Sequence, residues 1–326
     1  MKLLISITFI FLTLIQAYEI GRGLTLDEKL HVGGYFSTDY EVSKNKKLFR
    51  LDDVALIAYG SINEKLSYLL EYEAAPVYTK EFKSNTESNS LHFHRERLYL
   101  DYKHSDSINF RVGKQITPIG YWNLEPINVL RETSSNPLLS RQMFPKFLSG
   151  IDMYGYIPNF ESLTYHIFAQ KNKDLDEEYI NIKNEHFFGL SIENEVDYNF
   201  QYGTSLGEFI SNDNKRSRFI GLNIKYDMYP FCIKYETVWS TIKNKSTKTT
   251  DYKSASYIQS LYKINRQNTL VGRYEYFHDD ALNSKQHIGI LGYSYRPIYP
   301  VSIKGEFQYN SNSDLNKLLI SFSVLF

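Results

Sequence analysis

Two stretches of this chain set basic side chains at strand spacing. Arg95 and Arg97 stand two residues apart just before Leu98 and Leu100, and Arg111 and Lys114 sit beside Phe110 and Val112. Guanidinium groups held in place recognise carboxylates and phosphates through paired N–H donors. A row of them on one strand face would make a positive wall. The competing use of the same charge is cross-strand pairing with Glu71, Glu73 and Asp101. A second charged set, Glu125, Arg131, Glu132, Arg141 and Lys146, follows in the irregular stretch from Thr117 to Ser149. Pro118, Pro126, Pro137 and Pro145 argue against a continuous helix or sheet there. The stretch also keeps Ile119, Trp122, Leu124, Ile127, Val129, Leu130, Leu138 and Leu139. So apolar a segment is predicted to pack inward, carrying its charges with it. The alternative is a cap lying over a rim.

The elements that position these groups read as strands. The chain ends in LNKLLISFSVLF, where Leu318, Ile320, Phe322, Val324 and Phe326 share one face and Lys317, Ser321 and Ser323 the other. Period-two alternation carried to an aromatic carboxyl terminus suits a strand facing lipid. VSIKGEFQY sets Val301, Ile303, Phe307 and Tyr309 against Ser302, Lys304, Glu306 and Gln308, and PFCIKYETVW and KLSYLLEYE repeat the pattern. The apolar set belongs against lipid and the charged set inside, because a charge at the bilayer midplane costs roughly 2–4 kcal/mol. Sixteen candidate strands run from 29–40 to 315–326. Tight connections, such as SINE at 61–64, PN at 158–159 and Tyr229-Pro230, alternate with generally longer ones rich in Lys, Asn, Ser and Asp. Short turns at one end and long loops at the other predict an all-β, 16-stranded antiparallel transmembrane barrel with periplasmic turns and extracellular loops.

Composition agrees. Aromatics form 16% of the chain, with 28 Tyr against 2 Trp, and mean hydropathy is −0.39, as suits strands with one wet face and rings at two membrane interfaces. Residues 1–17, MKLLISITFIFLTLIQA, pair Lys2 with a short apolar run and Ala17, the pattern of a signal peptide. Residues 18–326 then form the barrel, placed in the outer membrane of a Gram-negative bacterium. Net charge near zero gives no reason to expect nucleic acid. The lone Cys232 has no disulfide partner, and no metal cluster or cofactor is expected. Ser105 beside His104 lacks a nucleophile elbow, and His92, His94 and His166 read as solvated or accidental.

The block RVGKQITPIGYWN at 111–123 resembles the glycine, basic residue, proline and aromatic entry to the constricting loop of the phosphate-selective porin O/P-like group of Gram-negative porins, and GIDMYGYIP at 150–158 resembles the strand that leaves it. The resemblance implies a homotrimer and a basic conduit, although the near-neutral charge does not carry phosphate selectivity across. The chain is thus expected to be a non-enzymatic porin for passive diffusion of small hydrophilic solutes or ions, partnered by outer-membrane lipid. Pore-lining or constriction positions are Arg95, Arg97, Arg111, Lys114, Glu125, Arg131, Glu132 and Arg141. An adhesin or receptor barrel is the alternative, and a barrel hydrolase a more distant one.

Overall fold

A computed structural model describes residues 18–27, 29–89, 92–175, 181–244 and 247–326. The proposed leader, residues 1–17, lies outside the described residues. Sixteen long strands form the wall: β1 (Leu30–Ser43), β2 (Lys47–Asn63), β3 (Leu66–Ala74), β4 (Phe93–Lys103), β5 (Asn109–Ile116), β6 (Phe147–Ile157), β7 (Phe160–Gln170) and β8 (Asn184–Glu195). They continue as β9 (Phe200–Ser211), β10 (Lys215–Met228), β11 (Phe231–Asn244), β12 (Thr250–Lys263), β13 (Asn268–Asp279), β14 (Ser284–Tyr295), β15 (Val301–Asn310) and β16 (Lys317–Leu325). Each pairs antiparallel with its sequence neighbours, and β16 returns to β1 in a register from Lys317↔Ser43 to Leu325↔Tyr35. Phe326 completes the seam: its amide donates to the Gly34 carbonyl and its carbonyl oxygen accepts from the Gly34 amide, both at 2.7 Å. A Cβ at Gly34 would lie 2.2 Å from the Ala55 carbonyl oxygen, so glycine lets β2 and the terminus approach together. Short strands Tyr18–Glu19 and Gly23–Asp27 pair beside β1, and the hairpin Tyr78–Glu81 with Thr86–Ser88 extends the wall above β3.

The alternation decides which side of the wall each residue takes. Ile303, Phe307, Leu318, Ile320 and Phe322 are exposed on the outer face, while Ser302, Lys304, Glu306, Ser321 and Ser323 are buried inside. Outward rings gather at the turn end (Tyr102, Tyr156, Tyr202, Tyr226, Tyr262, Tyr293) and again toward the loop end (Phe188, Trp239, Tyr252, Tyr309), two belts set where amphipathic rings meet headgroups. Three loop-end connections are shorter than their polar sequences suggest: 44–46, 212–214 and 280–283. Their strands keep pairing past the roughly 9–11 residues a crossing needs. Asn214 (φ 61) and Asn283 (φ 46) then take the left-handed conformation of a tight hairpin.

The apolar-out rule fails on one part of the wall. Phe168 of β7, Phe187 of β8, Phe209 of β9, Phe219 of β10 and Phe277 of β13 point inward and are buried. Rings on adjacent strands touch, Phe168 and Phe187 with centroids 5.1 Å apart and Phe187 and Phe209 6.1 Å apart. What makes this side of the interior dry is the segment that packs on it.

Removing Leu325 and Phe326 together leaves the Gly34 amide and carbonyl and the Pro300 carbonyl without their partners at the seam, where an unsatisfied backbone group in lipid costs several kcal/mol. The expected result is a lower yield of heat-modifiable, folded barrel on gels, and an undiminished yield would count against the seam as the closing step.

Candidate functional site

Residues 117–146 leave β5, cross the barrel interior and re-enter the wall at β6. They carry two short helices, α1 (Tyr121–Leu124) and α2 (Leu138–Gln142), and one 3-10 turn, Asn128–Leu130. Such broken backbone leaves many N–H and C=O groups unmatched within the segment. The inner wall matches them.

Three carboxylates from β11, β13 and β15 accept backbone amides. Glu236 takes the Trp122 amide at 2.8 Å and the Tyr257 hydroxyl. Glu275 takes the Leu138 amide at 2.9 Å. Glu306 takes the amides of Ser134 and Ser135 at 3.2 and 3.1 Å. Basic groups on the same side donate to the segment's oxygens. Lys304 reaches the Asn128 side-chain oxygen at 2.6 Å, and Arg296 the Arg131 carbonyl at 2.8 Å. Arg273 binds the Ser135 carbonyl at 2.9 Å and the Thr133 hydroxyl at 2.7 Å. Gly120 makes the first anchor possible. Its φ is +68°, and a Cβ there would sit 2.0 Å from Glu236 Oε2, so only glycine both adopts the conformation and admits the carboxylate.

Trp122 is the segment's hub. The guanidinium carbons of Arg131 and Arg273 lie 5.2 and 5.0 Å from its ring, and its indole N–H donates to Asn136 at 3.1 Å. Ile119, Trp122, Leu139, Met143 and Phe144 pack into the inward phenylalanines, while Ile127 and Val129 pack on Tyr35, Ala55 and Ile57 of the opposite side. Burial pushes the Arg131 guanidinium down to about 10, which leaves it charged at neutral pH.

Between the segment and strands β1 to β4 lies a gap of about 80 Å³. The wall contributes Asp39, Asp52, Asp53, Glu71, Glu73 and Glu96, and the facing cations are Arg97, Arg131 and Lys146. The Tyr35 hydroxyl lies 2.6 Å from a Glu73 oxygen and 2.9 Å from a Glu71 oxygen, sharing its one proton between them, and Ser37 donates to Asp53 at 2.9 Å. Two β-bulges build this wall. Opposite the stretch from Phe36 to Thr38, β2 inserts Asp52 and Asp53, and opposite Glu71 and Tyr72, β4 inserts Glu96. An inserted residue re-aims side chains and breaks strict alternation.

The same bulge separates the arginines. Arg97 pairs in register with Glu71, binds its carboxylate and lines the gap. Arg95 falls opposite the exposed Tyr72, on the outer side, and donates to the Leu175 carbonyl at 2.8 Å. Its lumen placement is therefore corrected, since unbroken alternation held only up to the bulge. Arg111 faces inward but is bound to Asp101 at 2.9 Å through Nε, with the Tyr99 ring 4.4 Å away. Lys114 is buried, its Nζ 3.9 Å from Asp174 and 5.0 Å from the ring of Phe147, which lines the gap. Glu125 is held by Lys234 at 2.9 Å, Glu132 lies 3.8 Å from Arg296, and Arg141 is exposed at the end of α2. Ser105 accepts the Ile108 amide of its own turn at 3.1 Å. Alternation alone placed Lys234, Glu236, Lys304 and Glu306 inside. What they bind there required the path of the segment.

No protein-family model matches the sequence, and no curated protein matches it. Solved structures do. An anion-selective porin from Comamonas acidovorans superposes with a TM-score of 0.69 at 11% identity, over 91% of this chain and 99% of that one. The trimer form of in-vitro folded OmpT from Vibrio cholerae gives 0.66 at 12%, over 91% and 99%. OmpF of Salmonella typhi, in complex with daunomycin, gives 0.64 at 11%, over 94% and 98%. The fold is that of the outer-membrane porins. At these identities the likeness fixes the porin fold and leaves function to this chain's own interior.

Replacing Glu236 by Ala leaves the Trp122 amide and the Tyr257 hydroxyl without their acceptor, at about 1–3 kcal/mol for each group left unpaired. A lower midpoint of heat-modifiability and faster proteolysis within 117–146 are expected. Glu236→Gln, which can still accept, should lose less.

Proposed function

We propose that this protein is an outer-membrane porin, a passive diffusion channel for small hydrophilic solutes or ions. The observation that carries the reading is the charged gap between residues 117–146 and the β1–β4 wall, in a barrel whose outer face is apolar. A closed ring of this strand number encloses an aqueous lumen unless something fills it, and here residues 117–146 fill part of it and leave that gap. A second recess, near the turn end, is lined by Asp101, Asn109 and Tyr154. Residues 117–146 form the constriction, the 1–17 leader directs export, and the turns face the periplasm. No bond is broken along this path.

The likeness of 111–123 to the O/P-like loop entry supports a shared way of starting the constricting segment. The acidic gap gives phosphate no comparable support. A homotrimer follows the same line of likeness, since OmpT of Vibrio cholerae has a trimer form.

Purified protein in planar bilayers should open in discrete steps. Deleting residues 123–146 removes the filling while keeping the turn entry at Pro118 and Gly120, so single-channel conductance should rise and larger sugars should pass in liposome swelling. A folded barrel that stays electrically silent would overturn the porin reading in favour of an adhesin. A folded deletion variant with the parent's conductance and size limit would take the segment out of the pore.

A further inference from the structure

The two sides of the interior use their charges differently. On the β11–β15 side both signs are consumed by the crossing segment: Glu236, Glu275 and Glu306 hold its amides, and Arg273 and Lys304 hold its oxygens. On the β1–β4 side six carboxylates face the gap, against three cations that line it. Those cations are themselves committed. Arg97 is bound to Glu71, Lys146 lies 3.7 Å from Glu96, and Arg131 donates to Asn136 at 2.6 Å. Arg50 adds one more positive group at the flank, 3.9 Å from Asp52 and 3.4 Å from Glu41. One carboxylate oxygen is left over: Asp39 is 6% exposed, lines the gap, and its Oδ1 has no partner.

We propose that this gap is a cation filter, passing small cations and turning anions back along the carboxylate wall of β1 to β4. The proposal rests on the porin reading above and names its solute class. A buried carboxylate oxygen without a donor is costly, and a cation in the gap offsets that cost through its field. An anion meets net negative charge in a narrow path where the surrounding protein focuses the field. At 0.1 M salt the Debye length is about 10 Å, so mobile ions do not erase that field within such a constriction. Rings of acidic side chains select cations by the same physics.

The test is the reversal potential of single channels in a KCl gradient. The unaltered protein should show K⁺ permeability several-fold above that of Cl⁻. Asp39→Asn with Glu73→Gln and Glu96→Gln should bring that ratio down toward one while the barrel stays heat-modifiable, and Arg97→Gln should raise it by freeing Glu71. Should the triple variant fail to fold, the unaltered protein and Arg97→Gln still decide. A conducting channel with equal or anion-favouring permeability overturns the filter and leaves the porin reading standing. Cation preference that the folded triple variant keeps in full overturns the assignment to this wall. A folded barrel with no conductance overturns both readings.

Discussion

A strand in hydrocarbon has no water to satisfy its backbone, so every wall N–H and C=O must find a neighbour and the sheet must close. That constraint fixes the last hydrogen bonds as firmly as the first: β16 lies along β1, and Phe326 exchanges two amide contacts with Gly34. Closure then dictates side-chain chemistry. Successive residues alternate faces, and the lipid side takes the apolar half. The polar and charged half is left facing inward with nothing of its own to bind.

The crossing segment answers that surplus with a deficit. Its proline-broken backbone presents amides and carbonyls that no regular helix or strand absorbs, and the inner wall of β11 to β15 presents carboxylates, lysine and arginine at the matching places. Each side satisfies what the other would leave unpaired. Gly120 is the point where this fit is tightest, because its left-handed turn brings two successive amides, Tyr121 and Trp122, toward Glu236. The inward phenylalanines of β7 to β10 complete the seat by giving Trp122, Leu139, Met143 and Phe144 an apolar surface. The segment's polar anchors lie on that side, its Ile127 and Val129 reach β1 and β2, and the gap beside them takes its charge from the β1 to β4 wall.

The sixteen strands, their order, the closing role of the terminus and the inward placement of Lys234, Glu236, Lys304 and Glu306 were legible in the sequence. All of them follow from a side-chain period of two, a local property of backbone geometry. The apolar content of residues 117–149 also signalled that the segment would seek cover. Less legible was the wall where alternation slips. Arg95 and Arg97 look equivalent at a spacing of two, yet an extra residue at Glu96 sends them to opposite faces.

By itself, then, the sequence determined the barrel, because alternation, turn chemistry and the lipid's demand for paired backbone all act over a few residues. Tertiary structure alone decided which charges are spent and which remain. Bulges depend on how two strands distant in sequence share a register, and the anchors of the crossing segment join residues more than a hundred positions apart, such as Trp122 with Glu236 and Asn128 with Lys304. Whether a lumen carboxylate binds a backbone amide or faces open water is set by where that segment comes to rest, and no local pattern encodes it.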